Sequence, residues 1–214
     1  MKEAETVSEL TNIFDSFYSR FVLRDFLAKI IPGLILLFAL GSAATSTGFI
    51  GIYTIMSFGA WMVLLGITWI AGFAVHSFGM LVRLIKYVPD GVDVKEFSKQ
   101  EIEFYKRLGI EEQRRYERLA VIKETCGNTF VALLLLLGIF ILDGIADWIS
   151  SGAAASTSVS FAALYSILAF IVVTVGLAYL LRKVHLDYVG WQHEYITQAL
   201  EGYKPSKSSG KSDG

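Results

Sequence analysis

With 214 residues, 54% of them hydrophobic and only 18% charged, the chain has the length of one domain and too little charge for an ordinary soluble domain of that size. The formal net charge of −1 hides a strong segregation: charges fill residues 1–29, 83–124 and 182–213, and only Asp143 and Asp147 fall elsewhere. The single cysteine, Cys126, excludes an intrachain disulfide and any metal site built from paired thiolates.

The amino terminus opens on Glu3, Glu5 and Glu9 instead of the basic stretch of a cleaved secretory signal, so the first helix is expected to be retained. From about Thr6 to Arg24, the residues Leu10, Ile13, Phe14, Phe17 and Phe21 share one helical face, with Glu9, Asp15, Ser16 and Arg20 elsewhere on the wheel. Residues 1–25 therefore read as an amphipathic helix, lying either on the inner leaflet or against the loop between the second and third spans.

A hydrocarbon core about 30 Å thick needs on the order of 20 apolar residues per helical crossing, and four stretches meet that need. The first is about Phe26–Ala44, with Pro32 in its opening turns, where a missing N–H costs least, and with Lys29 placed to snorkel towards headgroups. A polar turn, Thr45-Ser46-Thr47-Gly48, and an interfacial Phe49–Tyr53 segment precede a second span at about Thr54–Val82. The third and fourth spans are about Asn128–Trp148 and Val159–Leu181. The fold class is thus all-α: an integral membrane protein with four transmembrane helices, paired as hairpins over residues 26–82 and 127–181.

Lysine and arginine fix the expected orientation, because short cytoplasmic segments keep positive charge. Four precede the first span, ten lie between the second and third, five follow the fourth, and the turns at 45–53 and 149–158 carry none of the nineteen. Both termini are expected in the cytoplasm of a cell whose inner, plasma membrane holds the protein.

The cytoplasmic loop, residues 83–126, reads as a helical hairpin. Pro89-Asp90-Gly91 is a turn signal; Val94, Phe97, Glu101, Phe104 and Leu108 form one stripe with a single acidic break; and Gly109 ends that helix before another begins near Glu111. The second loop helix is expected to run straight into the third span. The tail, residues 182–214, continues as a helix with Tyr188, Trp191 and Tyr195, then turns to Ser, Gly and Lys after Pro205, a composition expected to be disordered from about residue 205.

Candidate functional residues fall into four groups. Asp143 and Asp147 lie one turn apart near the outer end of the third span; in a symmetric oligomer they would form an acidic ring that attracts cations, and otherwise they mark where the helix surfaces. His76, the one titratable group inside an apolar run, is a candidate intramembrane polar site, either relaying protons or making a single interhelical hydrogen bond. Gly59, Gly66, Gly72 and Gly79 pair at seven-residue spacing and allow close helix approach. Lys106, Arg107, Arg114, Arg115 and Arg118 are a candidate contact for anionic lipid or a partner, but Glu101, Glu103, Glu111, Glu112 and Glu117 interleave with them, which equally suits a solvated, ion-paired helix and argues against nucleic acid.

No catalytic pattern is complete, and neither an enzyme nor a cofactor is expected. Asp143-Gly144-Ile145-Ala146-Asp147 resembles the start of the CDP-alcohol phosphatidyltransferase motif, but Asp147 stands where an arginine is required and the later aspartate pair is absent. Glu111-Glu112 with Arg114 and Arg115 resembles the glutamate pair of CAAX-type membrane proteases, with the wrong arginine spacing and in a hydrophilic loop. No serine or cysteine has an evident base, His185 and His193 lying in the tail.

The approach to the first span, Phe21-Val22-Leu23-Arg24-Asp25-Phe26-Leu27 with Ile31-Pro32-Gly33, resembles that of small four-helix membrane subunits of prokaryotic anti-phage systems of the Kiwa type. The resemblance implies a membrane sensor or effector that assembles as a homo-oligomer and works with a cytoplasmic protein. The sequence thus leads to an oligomeric sensor, effector or pore-forming subunit in contact with membrane lipid, with a non-conducting membrane anchor or scaffold as the alternative.

Overall fold

The computed structural model describes residues 26–44, 58–150 and 161–202. The expected amphipathic helix of residues 1–25, the turn and interfacial segment at 45–53, the second turn from residue 151 onwards and the tail beyond residue 202 lie outside the described residues. Among the described residues every regular element is helical. A π-helical turn, Phe26–Ile30, leads into α1, Ile31–Ala44; then come α2, Phe58–Leu81, α3, Val94–Arg107, α4, Ile110–Ser150, and α5, Phe161–Gly202.

Three of these helices, α2, α4 and α5, are long and apolar enough to cross a membrane. The fourth apolar segment, Ala28–Ala43, is shorter within the described residues, which stop at residue 44 on this side. Helix α1 packs against both α2 and α4, α2 also touches α4 directly, and α5 runs along α4. The apolar core is built where α2, α4 and α5 approach the chain after α2: Val75, Ile85, Phe130, Val131, Ala132, Leu133 and Ala178 are all buried there.

Backbone meets backbone where α1 crosses α2. A Cβ placed on Gly33 would overlap the Thr68 carbonyl, and one placed on Gly72 would overlap the Lys29 carbonyl. Only a hydrogen fits at either point, so two residues four apart on one helix seat against two residues four apart on the other. Thr68 keeps its hydroxyl on its own helix, donating to the Leu64 carbonyl at 2.7 Å. Of the four glycines singled out in this span, Gly72 sits in that crossing, Gly79 faces Ile85 and Val131, and Gly59 and Gly66 face open space.

The end of α2 is a Schellman-type closure. Leu84 N–H donates to the Gly79 carbonyl at 2.8 Å and Arg83 N–H to the Met80 carbonyl at 3.1 Å, with Arg83 at φ 58° in the left-handed position that glycine usually occupies. The chain then doubles back and drops Ile85 under Gly79. Pro89-Asp90-Gly91 makes the expected turn: Val92 N–H reaches the Pro89 carbonyl at 3.3 Å and Gly91 takes φ 87°. Asp93 caps α3 by accepting from Lys95 N–H at 2.7 Å.

The two loop helices do not pack simply on each other. Helix α3 lies mainly against the C-terminal half of α5, and its buried Phe97 and Phe104 close on Tyr116 of α4 and Ile196 of α5. The acidic break in the α3 stripe has a partner on either side: Glu101 accepts from the Tyr116 hydroxyl at 2.6 Å and from the Tyr87 hydroxyl at 2.7 Å. Gln113 seals the Leu108–Gly109 corner by donating to the carbonyls of Tyr105 and Leu108 at 3.0 and 2.9 Å. Beyond this corner α4 continues for 41 residues and α5 for 42 without a break, so the third and fourth expected spans are the apolar halves of rods whose other halves are polar.

The glycine geometry yields opposite signs for two similar substitutions. Gly72→Ala must push α1 off α2 and is expected to cost about 1–3 kcal/mol, whereas Gly66→Ala meets open space and is expected to be neutral or to gain up to about 1 kcal/mol from helix propensity. Thermal unfolding of the two variants in mild detergent checks this; equal destabilisation by both would contradict it.

Candidate functional site

Where the apolar halves of the helices give way to the polar halves, three elements converge on Asn128, which is fully buried. The reason begins with Pro32. In an α-helix the residue at position 32 would donate to the carbonyl of residue 28, and proline has no N–H to give. The Ala28 carbonyl instead accepts from Asn128 Nδ2 at 2.6 Å. With its amide nitrogen so committed, Asn128 turns Oδ1 towards His76 Nδ1, 2.8 Å away, and the imidazole must carry its proton on Nδ1 to donate. One missing backbone donor on the first apolar segment therefore joins that segment to α4 and, through α4, to α2.

One turn towards the polar half, a second histidine completes the junction. His185 on α5 has no exposed surface. Its Nδ1 lies 2.9 Å from the Lys123 carbonyl, and its Nε2 accepts from the Lys86 backbone N–H at 3.0 Å. A carbonyl can only accept and an N–H only donate, so the ring is neutral with its proton on Nδ1. Gly127 leaves room for it: a Cβ there would stand 2.7 Å from His185 Nδ1. Adjacent residues in the middle of α4, Gly127 and Asn128, thus seat one histidine each.

Lys123 is 3% exposed and Gln192 2%. The Lys123 ammonium donates to Gln192 Oε1 at 2.5 Å and to the Tyr87 carbonyl at 3.5 Å, and it lies 4.9 Å from the centre of the Tyr87 ring, a cation–π contact. Lys29 is also buried, 4% exposed, with its ammonium 5.1 Å from the Phe73 ring centre. The expectation that Lys29 extends to headgroups is replaced by packing against α2, because the Gly72 crossing brings the Lys29 backbone onto that helix.

The other candidate residues sit apart from this junction. Asp143 is partly buried and Asp147 exposed on α4. Asp143 lines a cleft of about 260 Å³ between α1, α4 and α5. On the polar half, Lys106, Arg107, Arg114, Arg115 and Arg118 are exposed. Arg107 pairs with Glu103, Arg114 reaches Glu111 at 3.7 Å, and Arg118 Nε donates to the Arg114 carbonyl at 3.4 Å. These are surface pairs of small energetic weight.

Among the described residues no three of His, Cys, Asp and Glu gather as a metal would require. His185, expected to sit in the tail with no evident partner, has both ring nitrogens engaged and cannot act as a free base. Asn128, Gly127, Lys123 and Gln192 were not singled out by sequence. Their signal was present only as polar residues flanking an apolar run and as a proline whose i−4 carbonyl lacks a helical donor. No family model, curated protein or solved structure matches the chain.

Two expectations follow for the junction. Asn128→Leu should cost about 1–3 kcal/mol by leaving buried polar groups without their donor or acceptor, and much of that cost should vanish in a Pro32→Ala background, which returns an N–H to the Ala28 carbonyl. A double-mutant cycle on thermal stability in detergent reads the coupling, expected at about 1 kcal/mol; strictly additive losses would mean that the carbonyl does not depend on Asn128. The second concerns pH. Burial pushes the His185 imidazole below its ordinary value of 6.5, with the hydrogen bond to the Lys123 carbonyl opposing and the charges of Lys123 and Arg182 adding to the depression. The unfolded chain then binds a proton at a pH where the folded chain does not, so stability is complete above about 6.5 and falls as the pH drops from there towards the depressed folded value. The melting temperature should decline between pH 7 and 5, and His185→Gln should flatten that decline.

Proposed function

We propose that the chain is a four-pass plasma-membrane protein, with both termini and the α3 region cytoplasmic, that senses the state of the bilayer and passes it to a soluble partner as part of a homo-oligomer. The observation that carries this reading is the continuity of α4 and α5, at 41 and 42 residues, through a junction of half-buried His76 with buried Asn128, Lys123, His185 and Gln192. A rod anchored in lipid at one end and packed around Phe97, Phe104, Tyr116 and Ile196 at the other cannot tilt in the membrane without moving the polar half.

The placement of all nineteen lysines and arginines outside the two expected outer turns supports the orientation. Exposed Lys106, Arg107, Arg114, Arg115 and Arg118 supply the face that a cytoplasmic partner or anionic headgroups would meet. The resemblance of the approach to the first span to anti-phage membrane subunits fits the same role, with membrane damage as the trigger. No step in this reading requires an enzyme activity or a cofactor.

Spin labels on α3 at Ile102, exposed on the polar half, and on α2 at Val63, exposed on its apolar part, test the coupling by pulsed dipolar spectroscopy. In vesicles of increasing acyl-chain length the distance between them should change by several ångströms, on the scale of other helix shifts, and Asn128→Leu should reduce the change. An unchanged distance in every lipid would leave a static anchor or scaffold as the function.

A further inference from the structure

The cleft that Asp143 lines has no assigned occupant. Its walls are graded along both helices: on α4, Leu136 and Phe140 lie deeper and Asp143 nearer the helix end; on α1, Phe38 lies deeper and Ser42 nearer the end; Phe170 of α5 closes the third side, its ring centre 5.3 Å from that of Phe140. From Leu136 to Asp143 the helix rises about 10 Å. The cleft therefore passes from purely apolar depth to a polar rim over roughly the distance that separates the first methylenes of a lipid from its headgroup.

Charge selects the occupant. Every lysine and arginine of the described residues lies at the opposite end of the helices, in residues 29, 83–123 and 182–183, so none can supply a cation at this rim. A carboxylate half-removed from water beside aromatic and aliphatic walls is costly unless a cation meets it. Phe140 and Phe170 add ring faces, to which an ammonium is also drawn. A volume of about 260 Å³ is at the small end for a whole ligand and suits one end of a longer molecule whose remainder lies in the bilayer.

We propose that this cleft binds a membrane lipid whose zwitterionic headgroup ends in a primary ammonium, with the ammonium on the Asp143 carboxylate and the Ser42 hydroxyl and the upper acyl chain against Leu136, Phe38 and the Phe140–Phe170 pair. The assignment rests on the reading of the chain as a membrane protein with α1 at the bilayer. If that protein senses the bilayer, this lipid is one quantity it reads.

The test uses the full chain reconstituted into vesicles of equal parts phosphatidylethanolamine and phosphatidylglycerol, extracted in mild detergent and examined by native mass spectrometry for retained lipid. Retained phosphatidylethanolamine is expected to exceed phosphatidylglycerol, and Asp143→Asn should lower that preference about tenfold, the loss of one charge-assisted hydrogen bond. Asp147→Asn, one turn away and exposed, should leave it unchanged. Phe38→Ala, which removes an exposed apolar wall of the cleft without touching the carboxylate, should reduce retention even if Asp143→Asn proves too unstable to purify. Equal retention of both lipids by the unmodified chain, or the same preference in Asp143→Asn and the same retention in Phe38→Ala as in the parent, overturns the assignment. A chain that fails to float with the vesicles at all overturns the membrane reading instead, so the two failures are told apart.

Discussion

The arrangement of the helices depends on one backbone carbonyl. Pro32 cannot offer an N–H to the Ala28 carbonyl, and Ala28 is fully buried. An unsatisfied buried peptide group costs about 1–3 kcal/mol, and Asn128 donates to this carbonyl at 2.6 Å. That commitment sets the orientation of the Asn128 amide, which sets the tautomer of His76. It also fixes the height at which α4 passes the first apolar segment. The π-helical turn at Phe26–Ile30 ends two residues before the proline, where the regular hydrogen-bond ladder is already interrupted. The Gly33 and Gly72 contacts are the steric counterpart of the same constraint: they let α1 and α2 approach until backbones touch, which brings His76 within reach of a residue on α4.

Much of the architecture was legible in the sequence because apolar length is a cumulative property. Twenty consecutive apolar residues identify a candidate span whatever their neighbours do: α2 covers the second expected span from Phe58 to Leu81, α4 contains the third, and α5 covers the fourth from Phe161, while α4 and α5 run on well beyond their apolar parts. The run of Glu111 to Thr125 into the third span was legible for a similar reason: nothing between them breaks a helix, and Gly127 alone is too weak a breaker to stop one held by packing on both sides.

The candidate site was far less legible, because its residues are distant in sequence and ordinary in type. Asn128 and Ala28 are 100 positions apart, and His185 and Lys86 are 99 apart. No periodicity connects them. His185 sits in a stretch that by composition is a polar tail, yet it is buried because α5 continues past Leu181 and keeps the same face on α4. Glu101 presented the same difficulty at shorter range: it interrupts an apolar stripe, and only the positions of Tyr87 and Tyr116 show why a carboxylate belongs there. Of the basic residues of the same region, legible as a cluster, Arg107 and Arg114 are tied into local ion pairs.

The energies of the junction bear on how it behaves under load. Bilayer mismatch costs fractions of a kcal/mol per ångström, whereas each buried hydrogen bond at the junction would leave a group costing about 1–3 kcal/mol if broken. If the chain spans a bilayer as proposed, a change of a few ångströms in thickness supplies too little energy to open the Asn128 or His185 contacts, and the helices would tilt as connected bodies, passing the deformation along α4 and α5 to the surfaces around Phe104 and Tyr116. Protonation of His185 acts differently. It places an N–H against the Lys86 N–H and removes one of the two backbone contacts at that ring, so acid weakens the attachment between α5 and the segment following α2 while leaving the Asn128 contacts in place. Load and acid thus reach the same junction through different bonds.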